Sequence, residues 1–131
     1  MKLFNKNILK DILYIAEIGV NHEGNINRCK KLIREAKDSG ADVVKFQCFT
    51  PRLYVSKEDK KFNQIKKYYL NISKFKKIIQ FCKKIKIPFL FTPVSHDWLN
   101  FIKKNSKVIK IASGDLNFDY LLKKVIKKIL K

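Results

Sequence analysis

Seven polar side chains interrupt or follow short apolar runs in this chain, and their types define a coherent chemistry. Glu17 lies near the end of the run Ile12 to Ile18, Lys45 and Gln47 stand within and just after Ala41 to Phe46, and Thr92 ends Ile87 to Thr92. Lys110 interrupts Val108 to Ala112, and Ser113-Gly114-Asp115 follows it. A charge inside a buried strand is costly unless it is paired or solvated, so four runs that each carry such groups point to a shared site. Lysines with hydroxyls suit a phosphorylated, carboxylated anion, and Glu17 and Asp115 are able to move protons. The plainer alternative is a structural ion pair between Glu17 and Lys45 or Lys110. His22 and Glu23 fall in a polar loop, as a loop-pinning or solvent-facing pair. His96 starts a helix in a structural role, and no two histidines stand at metal-ligand spacing.

The elements that must position these groups alternate. The run Ile12 to Ile18, closed by Gly19, reads as a buried strand. Gly24-Asn25 supplies a turn and an N-cap, and Ile26, Cys29, Leu32, Ile33 and Ala36 recur at helical spacing until Ser39-Gly40. Ala41 to Phe46 is the second strand. Phe49 to Asn71 is long, charged and aromatic, and reads as a loop with some helix of its own. Ser73 is the expected cap of a helix carrying Phe75, Ile78, Ile79, Cys82 and Ile85. Ile87 to Thr92 is the third strand, with Pro88 at its start. Ser95 is the expected cap of a helix carrying Trp98, Leu99, Phe101 and Ile102. Val108 to Ala112 is a fourth strand, and Leu121, Leu122, Val125, Ile126 and Ile129 form the stripe of a last helix. Strands and helices in this order mean a parallel sheet with helical crossovers. The pattern fits an α/β fold, either a flavodoxin-like sheet or four units of a (β/α)8 TIM barrel. In both, function gathers at the carboxyl ends of the strands.

Composition narrows the class. The 131 residues suit one domain, with a hydrophobic share of 46% that supports a core and excludes wholesale disorder. No apolar run approaches the roughly 20 residues of a membrane span, and the first residues lack the pattern of a secretory signal. Cys29, Cys48 and Cys82 are scattered and read as reduced core fillers in a cytoplasmic protein. Thirty basic against 11 acidic residues give a net charge of +19. Only Arg28, Arg34 and Arg52 are arginine, the residue that clamps phosphates and reads guanine with a planar fork. The dispersed lysines therefore describe a solvated surface that attracts small anions, with no nucleic-acid partner. A basic nucleic-acid-binding module is the weaker alternative.

Four stretches together resemble the N-acetylneuraminate (sialic acid) synthase family. They are Ile15-Ala16-Glu17-Ile18-Gly19-Val20-Asn21-His22-Glu23-Gly24-Asn25, Gly40-Ala41-Asp42-Val43-Val44-Lys45-Phe46-Gln47, Phe91-Thr92-Pro93 and Ile109-Lys110-Ile111-Ala112-Ser113-Gly114-Asp115. The resemblance implies a transferase of the EC 2.5.1 type, acting in carbohydrate biosynthesis, that condenses phosphoenolpyruvate with N-acetylmannosamine or a related amino-sugar aldehyde. The products would be a nonulosonic acid and phosphate. It implies that Lys45, Thr92, Lys110 and Ser113 hold phosphoenolpyruvate, that Gln47 faces the amino sugar, and that Glu17 and Asp115 are the catalytic carboxylates. Asp115 stands where the family often has the longer Glu. The implied fold is the first part of a TIM barrel, followed in the family by an antifreeze-like domain and assembled as a homodimer. The implied cofactor is a divalent metal, Mn or Mg, whose two histidine ligands belong to the second half of the barrel.

A whole barrel takes about 250 residues. Residues 1–131 are accordingly expected to be the N-terminal part of the catalytic domain, a fragment inactive by itself. The alternative is a non-catalytic half barrel or the subunit of a split enzyme.

Overall fold

The computed structural model describes residues 1–129, with side chains through Lys127. The chain opens with a hairpin that the sequence pattern did not announce. β1 (Lys2–Leu3) pairs antiparallel with β2 (Lys6–Asn7). Phe4 and Asn5 turn at φ of 48° and 69°, the left-handed pair that a two-residue hairpin loop demands. Lys6 ties this hairpin to the sheet through Asp42 at 2.8 Å.

β3 (Ile15–Gly19), β4 (Val43–Cys48) and β5 (Phe89–Pro93) form a parallel sheet in the order β3-β4-β5. The strands start later than the apolar runs suggest. Ile12 is 68% exposed and lies ahead of its strand. Neighbours in sequence are neighbours in space, without the reversal that defines a doubly wound sheet. The flavodoxin-like alternative is thereby excluded. No closed barrel is present among the described residues.

The expected fourth strand, Val108 to Ala112, is reduced to one parallel bridge between Ile109 and Phe91, with the Lys110 N–H donating to the Phe91 carbonyl at 3.1 Å. Local turns consume its backbone on either side. The Ser106 hydroxyl bonds both the N–H and the carbonyl of Val108, and a 3-10 turn takes Ser113–Asp115.

Between strands run α1 (Ile26–Asp38), α2 (Pro51–Tyr54), α3 (Phe62–Tyr68) and α4 (Ile72–Lys84). After β5, a 3-10 turn at His96–Trp98 leads into α5 (Leu99–Asn105), and α6 (Asp119–Ile129) ends the described chain. Asn25 caps α1 as expected, its side chain accepting from the N–H groups of Asn27 and Arg28. The cap of α4 is Asn71 rather than Ser73, accepting from the Lys74 N–H at 2.9 Å. Ser95 precedes its helix without capping it, because its hydroxyl donates to Asp97 and accepts from the Thr50 N–H. In α6, Leu121 and Val125 are buried, while Ile126 is 54% exposed and leaves the expected stripe. The Ile129 side chain lies outside the described residues.

Side chains alternate across a strand, and here the two faces differ in kind. Val44, Phe46, Cys48 and Phe91 face α1 and α4, where Cys29, Ile33, Ile78 and Cys82 are fully buried. Phe75 centres this layer, edge-on to Phe46, Phe91 and Trp98 at centroid distances of 5.5 to 6.0 Å. The three cysteines are free and buried, and burial pushes the Cys29 and Cys82 thiols up to about 12. They are core fillers, as their scatter suggests. No described helix is long and apolar enough to cross a membrane.

The turn after β3 is the tightest point. Gly24 has φ of +72°, and a Cβ there would stand 2.1 Å from the Lys67 carbonyl oxygen. Gly24→Ala is expected to lower the unfolding free energy by about 2 kcal/mol or more, combining left-handed strain with a backbone clash. Urea denaturation against the parent chain measures it.

Candidate functional site

The second face of the sheet carries the polar groups. Register places Glu17 beside Lys45, Lys45 beside Leu90, and Gln47 beside Thr92, and side chains of directly paired residues share a face. Lys45 belongs to the central strand and is only 9% exposed. Its ammonium group pairs with the Glu17 carboxylate and donates to Thr92 Oγ1 at 3.2 Å. Thr92 is itself buried at 1% exposure, whereas the Glu17 side chain is 46% exposed. The Glu17–Lys45 ion pair, weighed above as a structural alternative, is therefore present and also engages Thr92. Gln47 lies two residues further along β4, half-buried on the same side.

Lys110, Ser113 and Asp115 are placed nearby by the backbone but are not drawn into this network. The bridge at Ile109 turns that residue toward the core, so alternation puts Lys110 on the polar side next to Thr92. Its side chain is exposed, as is that of Ser113, and Asp115 is half-buried in the following 3-10 turn.

Beyond the strand ends, a second network escaped the sequence reading. The Thr50 hydroxyl bonds Asp97, the Thr50 N–H donates to Ser95 Oγ at 2.9 Å, and the Trp98 indole donates to Thr50 Oγ1 at 3.2 Å. These bonds lock the exit of β4 to the exit of β5, so the two strand ends keep one geometry. Asp97 stands one residue from His96 in an unremarkable polar stretch, and only its partners reveal it.

The described residues hold no group of three or more His, Cys, Asp or Glu side chains able to bind a metal. His96 packs edge-on against Tyr120 at 5.2 Å, and His22 is committed to the backbone. These side chains do not by themselves fit a divalent cation.

A parallel sheet with helical crossovers, carrying a buried lysine, a carboxylate and a hydroxyl on one face, belongs to the α/β class, whose ligand sites gather at the carboxyl ends of the strands. Comparison with known proteins makes this specific. The NeuB family model matches residues 32–131, and the chain belongs to that family. It is 38% identical over 140 aligned positions to N,N'-diacetyllegionaminic acid synthase of Campylobacter jejuni, covering 93% of this chain and 42% of that protein. It is 36% identical over 132 positions to N-acetylneuraminate-9-phosphate synthase of Drosophila melanogaster, covering 89% and 35%. The crystal structure of N-acetylneuraminic acid (sialic acid) synthetase from Leptospira borgpetersenii superposes with a TM-score of 0.84 at 28% identity, over 91% of this chain and 42% of that one. The chain thus spans well under half the length of these relatives.

His22 fixes the loop that leaves β3. It is 1% exposed and accepts from the Gly24 N–H at Nδ1, 3.0 Å away. That acceptor nitrogen requires the neutral imidazole. Burial pushes its pKa down to about 4; a hydrogen bond with the Gly19 backbone opposes this, and the Lys74 charge adds to it. The folded value lies below the unfolded 6.5, so the unfolded chain takes up the proton first as pH falls. The stability due to neutral His22 is present above pH 6.5 and is lost toward pH 4, by up to about 3 kcal/mol. Denaturant titrations at pH 7 and pH 4.5 should show this loss in the parent chain and a much smaller one in His22→Gln.

Proposed function

We propose that residues 1–131 form the phosphoenolpyruvate-binding part of a nonulosonic acid synthase, built on the first four βα units of a (β/α)8 barrel. The observation that carries this reading is the Lys45 ammonium, buried in the central strand and held between Glu17 and Thr92. An ammonium has three donors. Two are spent on Glu17 and Thr92, and the third is available to a carboxylate or phosphate oxygen. Because Thr92 Oγ1 accepts from Lys45, its own proton is free to point toward the same anion.

In the proposed reaction the enol carbon of phosphoenolpyruvate attacks the aldehyde carbon of an N-acetylated amino sugar, forming a C–C bond. Water then adds to the resulting oxocarbenium carbon, and phosphate departs with cleavage of its C–O bond. Lys45 binds the phosphoenolpyruvate from the sheet face, and Thr92, Lys110 and Ser113 take its phosphate. The exposed Lys110 and Ser113 chains close over the anion when it arrives, which neutralises charge that grows as phosphate leaves. Gln47 orients the amino sugar, half-buried between the lysine and the strand end. Glu17, against Lys45 yet open to water on its other side, manages the proton at the reacting carbons. Asp115, on the turn beyond Lys110, is the second carboxylate. A divalent metal, Mn or Mg, would polarise the aldehyde, with ligands other than the residues described. The full enzyme is read as a homodimer working in the cytoplasm.

Isothermal titration calorimetry of the 131-residue chain with phosphoenolpyruvate tests the binding half of this reading. Saturable binding is expected. Lys45→Ala and Lys110→Ala should each weaken it by about tenfold or more, the worth of a charge-assisted hydrogen bond. Lys110 is exposed, so its loss leaves the fold intact. Binding unchanged by both substitutions, or absent from the parent chain, would overturn it.

A further inference from the structure

A bulge at the end of β3 decides where the Glu17 carboxylate points. Glu17 stands opposite Lys45 and Gly19 opposite Phe46, so β3 advances two residues where β4 advances one. An extra residue of this kind bends its strand and re-aims the side chains beside it. Gly19 takes a φ of +51°, in the left-handed region, and Glu17 folds back over it. A Cβ on Gly19 would stand 3.2 Å from Glu17 Oε1 and 3.5 Å from its Cγ. A residue without a side chain leaves that space to the carboxylate. From there Glu17 reaches the Lys45 ammonium, which also donates to Thr92.

The buried His22 holds Gly19 in this conformation. Its imidazole accepts from the Gly24 N–H at 3.0 Å and hydrogen-bonds the Gly19 backbone, so one ring ties both ends of the loop together. The far end is anchored in turn to α4, where Lys74 Nζ donates to the Gly24 carbonyl at 3.0 Å. With Gly24 fixed from outside, the ring transmits that fixed point to Gly19, and Gly19 transmits it to Glu17. We infer that His22 is a positioning residue for the anion site: it fixes the Gly19 turn that seats the Glu17 carboxylate against Lys45, and so sets how much of the lysine's charge an incoming anion meets. This rests on the reading of Lys45 as the residue that binds phosphoenolpyruvate.

Two substitutions separate the bonds of the ring. In His22→Asn the side chain still accepts the N–H two residues on but is too short to reach Gly19 as well. In His22→Gln the longer amide is able to take both. Nitrogen-15 NMR of the lysine ammonium groups in the 131-residue chain reads the geometry. The Lys45 resonance should move in His22→Asn to where Glu17→Gln places it, and His22→Gln should restore the parent position. Calorimetry with phosphoenolpyruvate at neutral pH reads the consequence. With its counter-charge displaced, Lys45 should bind the anion about fivefold more tightly in His22→Asn. The same substitution should change the affinity by less than about twofold once Glu17→Gln is in place, because a residue that acts through Glu17 then has nothing to act on. Equal shifts in both backgrounds would mean a purely structural His22 and overturn the inference. So would a Lys45 resonance unmoved in His22→Asn, or loss of folding in that variant, which would make the ring a determinant of the fold. If the parent chain binds no phosphoenolpyruvate, the reading of Lys45 falls instead, and the ammonium resonance still decides whether His22 seats Glu17.

Discussion

A lysine ammonium in the middle strand of a buried sheet is the constraint around which this molecule is arranged. Lys45 has no route to bulk water comparable to that of the other described lysines, since it is 9% exposed and flanked by strands on both sides. Desolvating a charge there is tolerable only with a counter-charge and a further acceptor in place. Glu17 from β3 and Thr92 from β5 provide them, one from each neighbouring strand. The register that brings Glu17 and Thr92 to Lys45 is therefore also the register that makes the sheet affordable. A one-residue slip of either outer strand would send its partner to the core face and strand the charge.

That register is held from the other side. The helix-facing residues of the same strands, Val44, Phe46 and Phe91, interlock with Phe75, Ile78, Cys29 and Ile33, all essentially inaccessible to water. Aromatic rings in edge-on contact resist sliding because each displaced ring loses several neighbours together. Packing on one face thus sets the position of polar groups on the other. The Thr50–Ser95–Asp97 bonds do the same at the strand exits. They explain why residues far apart in sequence meet at one end of the sheet with defined spacing.

Much of this was legible because it rests on periodicities. Polar residues breaking apolar runs marked Glu17, Lys45 and Thr92, and the helical spacing of Cys29, Ile33, Phe75 and Ile78 marked the layer behind them. The parts that escaped depend on local competition for hydrogen bonds. Asn71 displaces Ser73 as a cap because it sits one residue before the first turn, where its side-chain Oδ1 accepts from the Lys74 N–H. Ser95 is diverted from capping by Asp97 and Thr50, whose proximity is a tertiary fact. The strand expected over Val108 to Ala112 loses its ladder to the Ser106 hydroxyl, which bonds the backbone of Val108 on both sides. The positive-φ turn at Phe4-Asn5 has an aromatic residue where glycine or asparagine is the usual signal, so no hairpin could be anticipated there.

The exposure of the ion pair is lopsided, and that asymmetry says how the site depends on its surroundings. The Lys45 side chain is 11% exposed and its partner Glu17 is 46% exposed, so water screens the carboxylate far more than the ammonium. Glu17 belongs to an edge strand with β4 as its single neighbour in the sheet, and Ile15 on the same strand is 43% exposed. Whatever covers that edge would strip water from Glu17 and strengthen its hold on Lys45, because charges interact more strongly as the local dielectric falls. Burial of that edge strand would thus hold Lys45 more firmly at the point where β3, β4 and β5 bring its two partners together.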